Sequence, residues 1–316
     1  MVMTQLRILS AADVLAALPM SRAIDVMREA FTLLARGEVE MPLRTAIPLP
    51  GQTGTFLVMS ARAGKAFGTK LVTVLPNNPA RGLPAVQSAV VMFDPDTGTP
   101  AALLDGGALT AIRTGAVSGL ATDLLARRDA SRVAIIGSGV QARTQLEAVC
   151  CVREIESVFV WSRTASHAAG FAGAMALRDG LPEKIAVASS VEAAVAGADI
   201  VCTATSSHAP LLLAEHIHAG LHINAIGSYM PEMRELDPTI LGTARVVVDQ
   251  REAALAEAGE VIAAVREGLI DKDGLVELGD VVTGAAAGRK EPEQVTVFKS
   301  VGLAVQDVAA AAECDR

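Results

Sequence analysis

The segment Val133-Ala134-Ile135-Ile136-Gly137-Ser138-Gly139-Val140-Gln141-Ala142 constrains this chain more than any other. Its apolar start reads as a strand, Arg132–Gly137, that runs into G-x-G-x-x-A and then a helix, Gln141–Val152. Gly137 permits a tight turn, Gly139 lets the backbone approach a pyrophosphate, and Ala142 lets helix and strand pack closely. Val140 and Gln141 open the helix, whose N-terminus offers N–H groups and partial positive charge to phosphates. The motif alone is weak, but its context is complete. A strand at Ser157–Ser162 and a helix at Ala165–Leu177 follow, then strands at Ile185–Ala188, Asp199–Ala204, His222–Ile226, Arg245–Asp249 and Gln294–Phe298. Short apolar strands alternating with helices imply a doubly wound parallel sheet of Rossmann type, covered on both faces.

The end of the second strand discriminates between dinucleotides. NAD-binding folds usually place Asp or Glu there for the ribose hydroxyls. This chain has Val160-Trp161-Ser162-Arg163-Thr164 instead, a guanidinium between two hydroxyls and no carboxylate. A 2′-phosphate suits Arg and Ser/Thr and would be repelled by Asp. The expectation is NADP(H) in preference to NAD(H), with Ser162, Arg163 and Thr164 as the contacts. The bland alternative is an ordinary surface arginine.

The first third has a different rhythm. A short strand, Leu6–Leu9, leads to Ser10, a helix cap, and Ile24, Met27, Ala30, Phe31 and Leu34 recur at helical spacing until Gly37. Strands are expected at Leu43–Leu49, Thr55–Ala61, Ala66–Leu75, Ala85–Phe93 and Pro100–Leu104, with Asp94-Pro95-Asp96-Thr97-Gly98 as a hairpin turn. A small-residue helix, Gly107 to Leu125, closes this antiparallel α+β part. The apolar-faced helix Val301–Ala312 is expected to pack back on it, making that domain discontinuous.

Composition narrows the classes. The chain has 316 residues, more than the ~100–200 of one domain, and a formal net charge of −8 without a basic block. Scarce aromatics, 3% of residues, leave little for base stacking, so nucleic acid is not an expected partner. Mean hydropathy is high at +0.40, yet the longest stretch free of Asp, Glu, Lys and Arg is Thr45 to Ala61. That stretch holds Pro48, Pro50, Gly51 and Gly54 and is shorter than the ~20 apolar residues a spanning helix needs. Met1 to Ser10 shows no secretory pattern, and four scattered cysteines make no disulfide framework, so a cytoplasmic protein is expected.

Three cations stand alone in apolar surroundings. Arg44 is the only charge between Glu40 and Arg62, Lys70 between Lys65 and Arg81, and Arg113 between Asp105 and Asp123. A buried cation needs an anion, and no carboxylate lies nearby in sequence. A carboxylated substrate would serve; the alternative is that each reaches the surface or pairs with a distant Asp. His216-Ile217-His218 with His222 lacks an acidic or thiol partner at ligand spacing, so no metal is expected. The acidic run from Glu252 to Glu267 reads as a solvated helix face.

The chain resembles the ornithine cyclodeaminase/mu-crystallin family over essentially its whole length. The resemblance rests on the Arg44 strand, Gly68-Thr69-Lys70, Asn78-Pro79-Ala80-Arg81-Gly82-Leu83-Pro84, Leu103-Leu104-Asp105-Gly106 and Ala111-Ile112-Arg113-Thr114. The fingerprint, Asn224-Ala225-Ile226-Gly227-Ser228 and Gln294-Val295-Thr296-Val297-Phe298-Lys299-Ser300-Val301-Gly302 also match. It implies a Rossmann domain at 126–299 and a discontinuous substrate-binding and dimerisation domain at 1–125, completed by 300–316, in a homodimer. It also implies hydride chemistry at an amino- or imino-acid carbon, with Arg44, Lys70 and Arg113 lining the substrate site and Val301 beside them. The resemblance further implies that Ala85, Arg113, Thr203, Ala204, Ala225, Ile226 and Ser300 join the glycine loop as cofactor contacts. Cyclodeaminases of the family carry an aspartate two residues after the glycine matching Gly227, where this chain has Tyr229. They also carry a glutamate in the strand before the lysine, where Leu57 aligns. Losing both removes acid/base groups that ornithine oxidation requires. The segment Gly227 to Leu236 looks like the ketimine reductase branch, whose substrates include Δ1-pyrroline-2-carboxylate and Δ1-piperideine-2-carboxylate. Alternatives are an alanine-type dehydrogenase, a cyclodeaminase or a non-catalytic NADP-binding protein. Tyr229 bounds the pocket or donates a hydrogen bond, or is a rim aromatic that only packs.

Overall fold

A computed structural model describes residues 6–49 and 54–316. Met1 to Gln5 of the N-terminal segment and residues 50–53 of the charge-free stretch lie outside the described residues. Two compact units are present: the described residues up to Arg113 with Leu303–Arg316, and Thr114–Gly302.

The first unit begins with β1 (Arg7–Leu9), α1 (Ala11–Ala17), α2 (Met20–Ala35), β2 (Val39–Glu40) and β3 (Thr45–Pro48). Then come β4 (Thr55–Ala63), β5 (Ala66–Val74), β6 (Val86–Phe93), β7 (Pro100–Asp105) and α3 (Gly106–Leu125). Ser10 caps α1 through a capping box with Asp13. The single helix expected after Ser10 is two, because Pro19 disfavours helical geometry at Leu18 and becomes the N-cap of α2. The sheet order is β1-β7-β6-β5-β4-β2, with β3 also paired to β4. All these pairings are antiparallel except β1 with β7, which corrects the purely antiparallel reading. The C-terminal helix, numbered α11 (Ala304–Cys314), packs on β4, β5 and β6 and against α2. Strand alternation sends Leu57, Met59, Ala61, Val72, Val74, Val90 and Met92 into that core. Lys70 occupies the same buried row of β5.

The second unit runs β8 (Arg132–Ile136), α4 (Val140–Val152), β9 (Ser157–Trp161), α5 (Ala165–Met175), β10 (Ile185–Val187), α6 (Val191–Val195) and β11 (Ile200–Thr203). It continues β12 (His222–Ala225), α7 (Pro238–Thr243), β13 (Arg245–Val248), α8 (Arg251–Glu257), α9 (Gly259–Arg266), β14 (Val276–Glu277), α10 (Leu278–Thr283) and β15 (Thr296–Lys299). The order is β10-β9-β8-β11-β12-β15-β13-β14, and every pairing is parallel. Order reverses between β8 and β11, the switch point whose carboxyl-end crevice takes ligands in doubly wound sheets.

The units divide inside α3, at 113/114. The second half of α3 is tied into the parallel unit: Gln145 Nε2 donates to Thr114 O (3.3 Å), and Asn224 Nδ2 to Thr122 Oγ1 (2.9 Å). The return falls at 302/303, after a segment that Asp249 holds through the N–H groups of Val301 and Gly302, 2.8 Å each.

Phe171 of α5 is 1% exposed within the apolar cluster of Val133, Ile135, Leu146, Val158, Val160 and Met175. Phe171→Ala is predicted to destabilise the parallel unit by about 3–5 kcal/mol, measured by chemical denaturation.

Candidate functional site

In the parallel unit the glycine loop has the geometry the motif requires. Gly137 sits at φ 121°, a conformation closed to most side chains, and a Cβ there would strike the carbonyl of Ala204. Gly137 N donates to Trp161 O (2.8 Å), and Ser138 Oγ to Ser162 Oγ (3.0 Å), which ties the loop to the end of β9. Gly139 is the N-cap of α4 and supplies no side-chain cap, so no cap side chain takes the first N–H groups of α4, those of Val140 and Gln141 among them. Gln141 Oε1 is buried without a hydrogen-bond partner. The N–H groups at the start of α4 fit the pyrophosphate of a dinucleotide. Arg163 and Thr164 follow β9 and are exposed, and Ser162 is half-buried.

Thr203 and Ala225 end β11 and β12, with Ala204 and Ile226 next in line. A carboxylate not anticipated from sequence organises them. Glu235, fully buried, accepts from Thr203 Oγ1 (2.8 Å), Thr205 N (2.6 Å), Thr205 Oγ1 (2.7 Å) and Gly227 N (2.7 Å). Burial raises the Glu235 pKa, opposed by the charge of Lys299 and the threonine hydrogen bonds. Beside it, Lys299 pairs with Glu260 (3.3 Å), and both bind Ser228, the residue before Tyr229. Glu260 is therefore a buried ion-pair partner, which corrects its reading as part of a solvated acidic face. Asp249, also buried, accepts from Ser300 Oγ (2.9 Å) and from Val301 and Gly302 N. Tyr229 is half-buried.

His216 Nδ1 accepts from Leu213 N (3.1 Å), and His218 lies by Ala219 O. His222 is buried between Thr296 and Asn224, and burial drives its pKa down to about 3, leaving it neutral. Among the described residues no group of three His, Cys, Asp or Glu is placed to hold a metal ion.

The first unit brings two of the three lone cations onto one carboxylate. Lys70 Nζ lies 2.7 Å from Asp307 Oδ2, and Arg113 Nε 3.0 Å from Asp307 Oδ1, with side-chain exposures of 3%, 6% and 0% for Lys70, Arg113 and Asp307. Arg113 Nη1 also donates to Gln306 Oε1 (2.6 Å). The distant-Asp alternative therefore holds for Lys70 and Arg113. Their charges still exceed their partner's. Arg44, half-buried between β2 and β3, is near enough to act on Lys70 electrostatically. Burial lowers the Lys70 pKa to about 8; Asp307 opposes this, and the positive charges of Arg113 and Arg44 reinforce it. Ala85, half-buried, precedes β6 in this unit, its carbonyl held by Leu75 N. Asp307 has a sequence signature: it is the only charge between Lys299 and Glu313. The isolation test applied to cations finds it when applied to anions.

Glu235→Gln leaves one acceptor oxygen for donors from Thr203, Thr205 and Gly227 and turns an NH2 toward them. Dinucleotide affinity is predicted to fall about tenfold, as loss of charge-assisted hydrogen bonds implies. Titration calorimetry with the folded variant checks this.

The sequence profile of the ornithine cyclodeaminase/mu-crystallin family matches residues 4–314. A Δ1-pyrroline-2-carboxylate reductase of Bacillus cereus (strain ZK / E33L) is 43% identical over 271 residues, covering 84% of this chain and 82% of its own. The solved Thermococcus litoralis Δ1-pyrroline-2-carboxylate reductase, in complex with NADH and L-proline, superposes with a TM-score of 0.95 at 38% identity, over 98% of this chain and 96% of that one. An archaeal alanine dehydrogenase dimer with bound NAD gives a TM-score of 0.91 at 35% identity, over 98% and 95%. The protein thus belongs to the ornithine cyclodeaminase/mu-crystallin family.

Proposed function

We propose that this protein reduces the C=N bond of a cyclic imino acid, Δ1-pyrroline-2-carboxylate or Δ1-piperideine-2-carboxylate, to L-proline or L-pipecolate. The carrying observation is the charge imbalance in the first unit: Lys70 and Arg113, both buried, share the single carboxylate of Asp307, and Arg44 acts on Lys70 electrostatically. An unbalanced buried cationic group favours an anionic ligand, and guanidiniums suit a carboxylate. In this reading Arg44 and Arg113 hold the substrate carboxylate and orient its C=N carbon for reaction. A bound nicotinamide supplies the hydride. Lys70 supplies or relays the proton that turns the imine into an iminium, a better hydride acceptor. Its lowered pKa brings proton release within reach of neutral pH, and Asp307 keeps it charged until then.

The same reading assigns the glycine loop, Thr203, Ala204, Ala225, Ile226, Ser300 and Ala85 to the dinucleotide and Val301 to the substrate. Preference for NADP(H) is proposed from Ser162-Arg163-Thr164, where an exposed guanidinium stands in place of a carboxylate. Tyr229 stands in a loop whose neighbours Gly227 and Ser228 are bonded by Glu235, Glu260 and Lys299.

A homodimer is proposed from the sheet face opposite α11. Ile8, Ile47 and Phe67 are 73%, 47% and 39% exposed there, and Phe67 stacks near Phe93 at 5.6 Å between ring centroids. An apolar sheet face of this kind is costly in water and fits a second copy. Cytoplasmic placement is proposed from the free thiols of Cys150, Cys151, Cys202 and Cys314. No helix among the described residues is long and apolar enough to cross a membrane.

The likeness to alanine dehydrogenase favours a second reading, oxidation of L-alanine. Loss of nicotinamide absorbance with NADPH and either cyclic imine supports the reductase. Ammonia and proline from ornithine, with neither imine reduced, would sink it; nucleotide binding without turnover would indicate a binding protein. Lys70→Met is predicted to abolish hydride transfer while leaving dinucleotide affinity intact. Because Lys70 must carry its proton, wild-type kcat/KM for the imine is predicted to fall as pH rises through about 8. Arg163→Ala is predicted to raise KM for NADPH far more than for NADH; equal effects would remove the NADP preference.

A further inference from the structure

Gln306, in the first turn of α11, is fully buried and only half paired. Its Oε1 accepts from Arg113 Nη1 (2.6 Å) and from Leu303 N (3.4 Å). Those two donors fix the amide orientation, since Nε2 in that place would face N–H groups. Nε2 therefore points away from them as a donor, and it has no hydrogen-bond partner. Its neighbour Asp307 is engaged on both oxygens, Oδ2 lying 2.7 Å from Lys70 Nζ and Oδ1 3.0 Å from Arg113 Nε.

Buried amide donors are nearly always paired, and one locked in place beside a guanidinium calls for an acceptor. Gln306 and Asp307 engage Nη1 and Nε of Arg113, which leaves Nη2 as the nitrogen that neither residue uses. A carboxylate accepts on both oxygens and so suits a guanidinium N–H and an amide N–H together.

We propose that Gln306 is a substrate-binding residue whose side-chain Nε2–H donates to the imino-acid carboxylate alongside Arg113. The inference rests on the reductase reading above and adds to it the residue that fixes the carboxylate's orientation. It also explains why an amide, rather than a carboxylate, occupies this position. A glutamate would satisfy Arg113 and Leu303 equally well but would present an oxygen to the substrate's own oxygens.

Gln306→Glu keeps the acceptor for Arg113 Nη1 and Leu303 N and replaces the donor with an acceptor; Gln306→Met removes both. Each variant is compared with wild type for KM and kcat with Δ1-pyrroline-2-carboxylate, for NADPH affinity and for thermal midpoint. Both are expected to raise KM for the imine roughly tenfold or more, the cost of a lost hydrogen bond to a charged group, with NADPH affinity unchanged. A crystal structure of the wild-type enzyme with L-proline is expected to place Nε2 within hydrogen-bond distance of a carboxylate oxygen. Wild-type KM in Gln306→Glu, or a bound L-proline whose carboxylate Nε2 does not touch, overturns the inference while the reductase reading stands. A wild-type enzyme that reduces neither imine and does not bind L-proline overturns both.

Discussion

Asp307 is the interaction on which the site in the first unit depends. Lys70 comes from the middle of a strand and Arg113 from the middle of a helix, both at positions where the surrounding pattern demands apolar side chains. Each would be strongly disfavoured there as a lone charge, since desolvation of an unpaired cation costs several kcal/mol. One carboxylate on α11, within 2.7 Å of one and 3.0 Å of the other, makes both tolerable. It does not neutralise both. The residual positive charge, with Arg44 near enough to be felt, is the physical basis for reading the cluster as a receptor for a carboxylate. Burial lowers the proton affinity of Lys70, and the charges of Arg113 and Arg44 reinforce that shift.

The parallel unit uses buried carboxylates differently. Glu235 and Asp249 accept N–H and O–H groups from loops at the carboxyl ends of strands: Thr203, Thr205 and Gly227 for the first, Ser300, Val301 and Gly302 for the second. Irregular backbone buried at such places must find partners. A fixed anion supplies them without the conformational freedom of water. The loops proposed to touch the nicotinamide are thereby held before any ligand arrives, which reduces the ordering cost of binding.

Features with a local cause were legible in the sequence. The fingerprint announces itself because glycine spacing, strand apolarity and helix start are contiguous. Strands β4 to β7 follow from period-two burial and turn residues. The three cations stood out because charge in an apolar run is improbable without a reason. What escaped depends on distant partners. Asp307 lies 194 positions from Arg113, and Glu235 gathers donors from loops 30 and 8 residues away. Glu260 looked solvated because its neighbours are acidic, whereas its own side chain turns inward to Lys299. The two-residue strands β2 and β14 are too short for any periodicity to show. Parallel pairing of β1 with β7 joins segments far apart in the sequence and has no local signature.

The role of Asp307 is tested most directly by the pH dependence of imine reduction in Asp307→Asn. Removing the carboxylate removes what opposes burial and the two arginines at Lys70. The basic limb of kcat/KM is therefore predicted to move to lower pH than the wild-type limb near 8, with Lys70 losing its proton earlier. A folded Asp307→Asn enzyme whose limb stays at the wild-type pH would contradict the claim that this shared carboxylate sets the charge of the site.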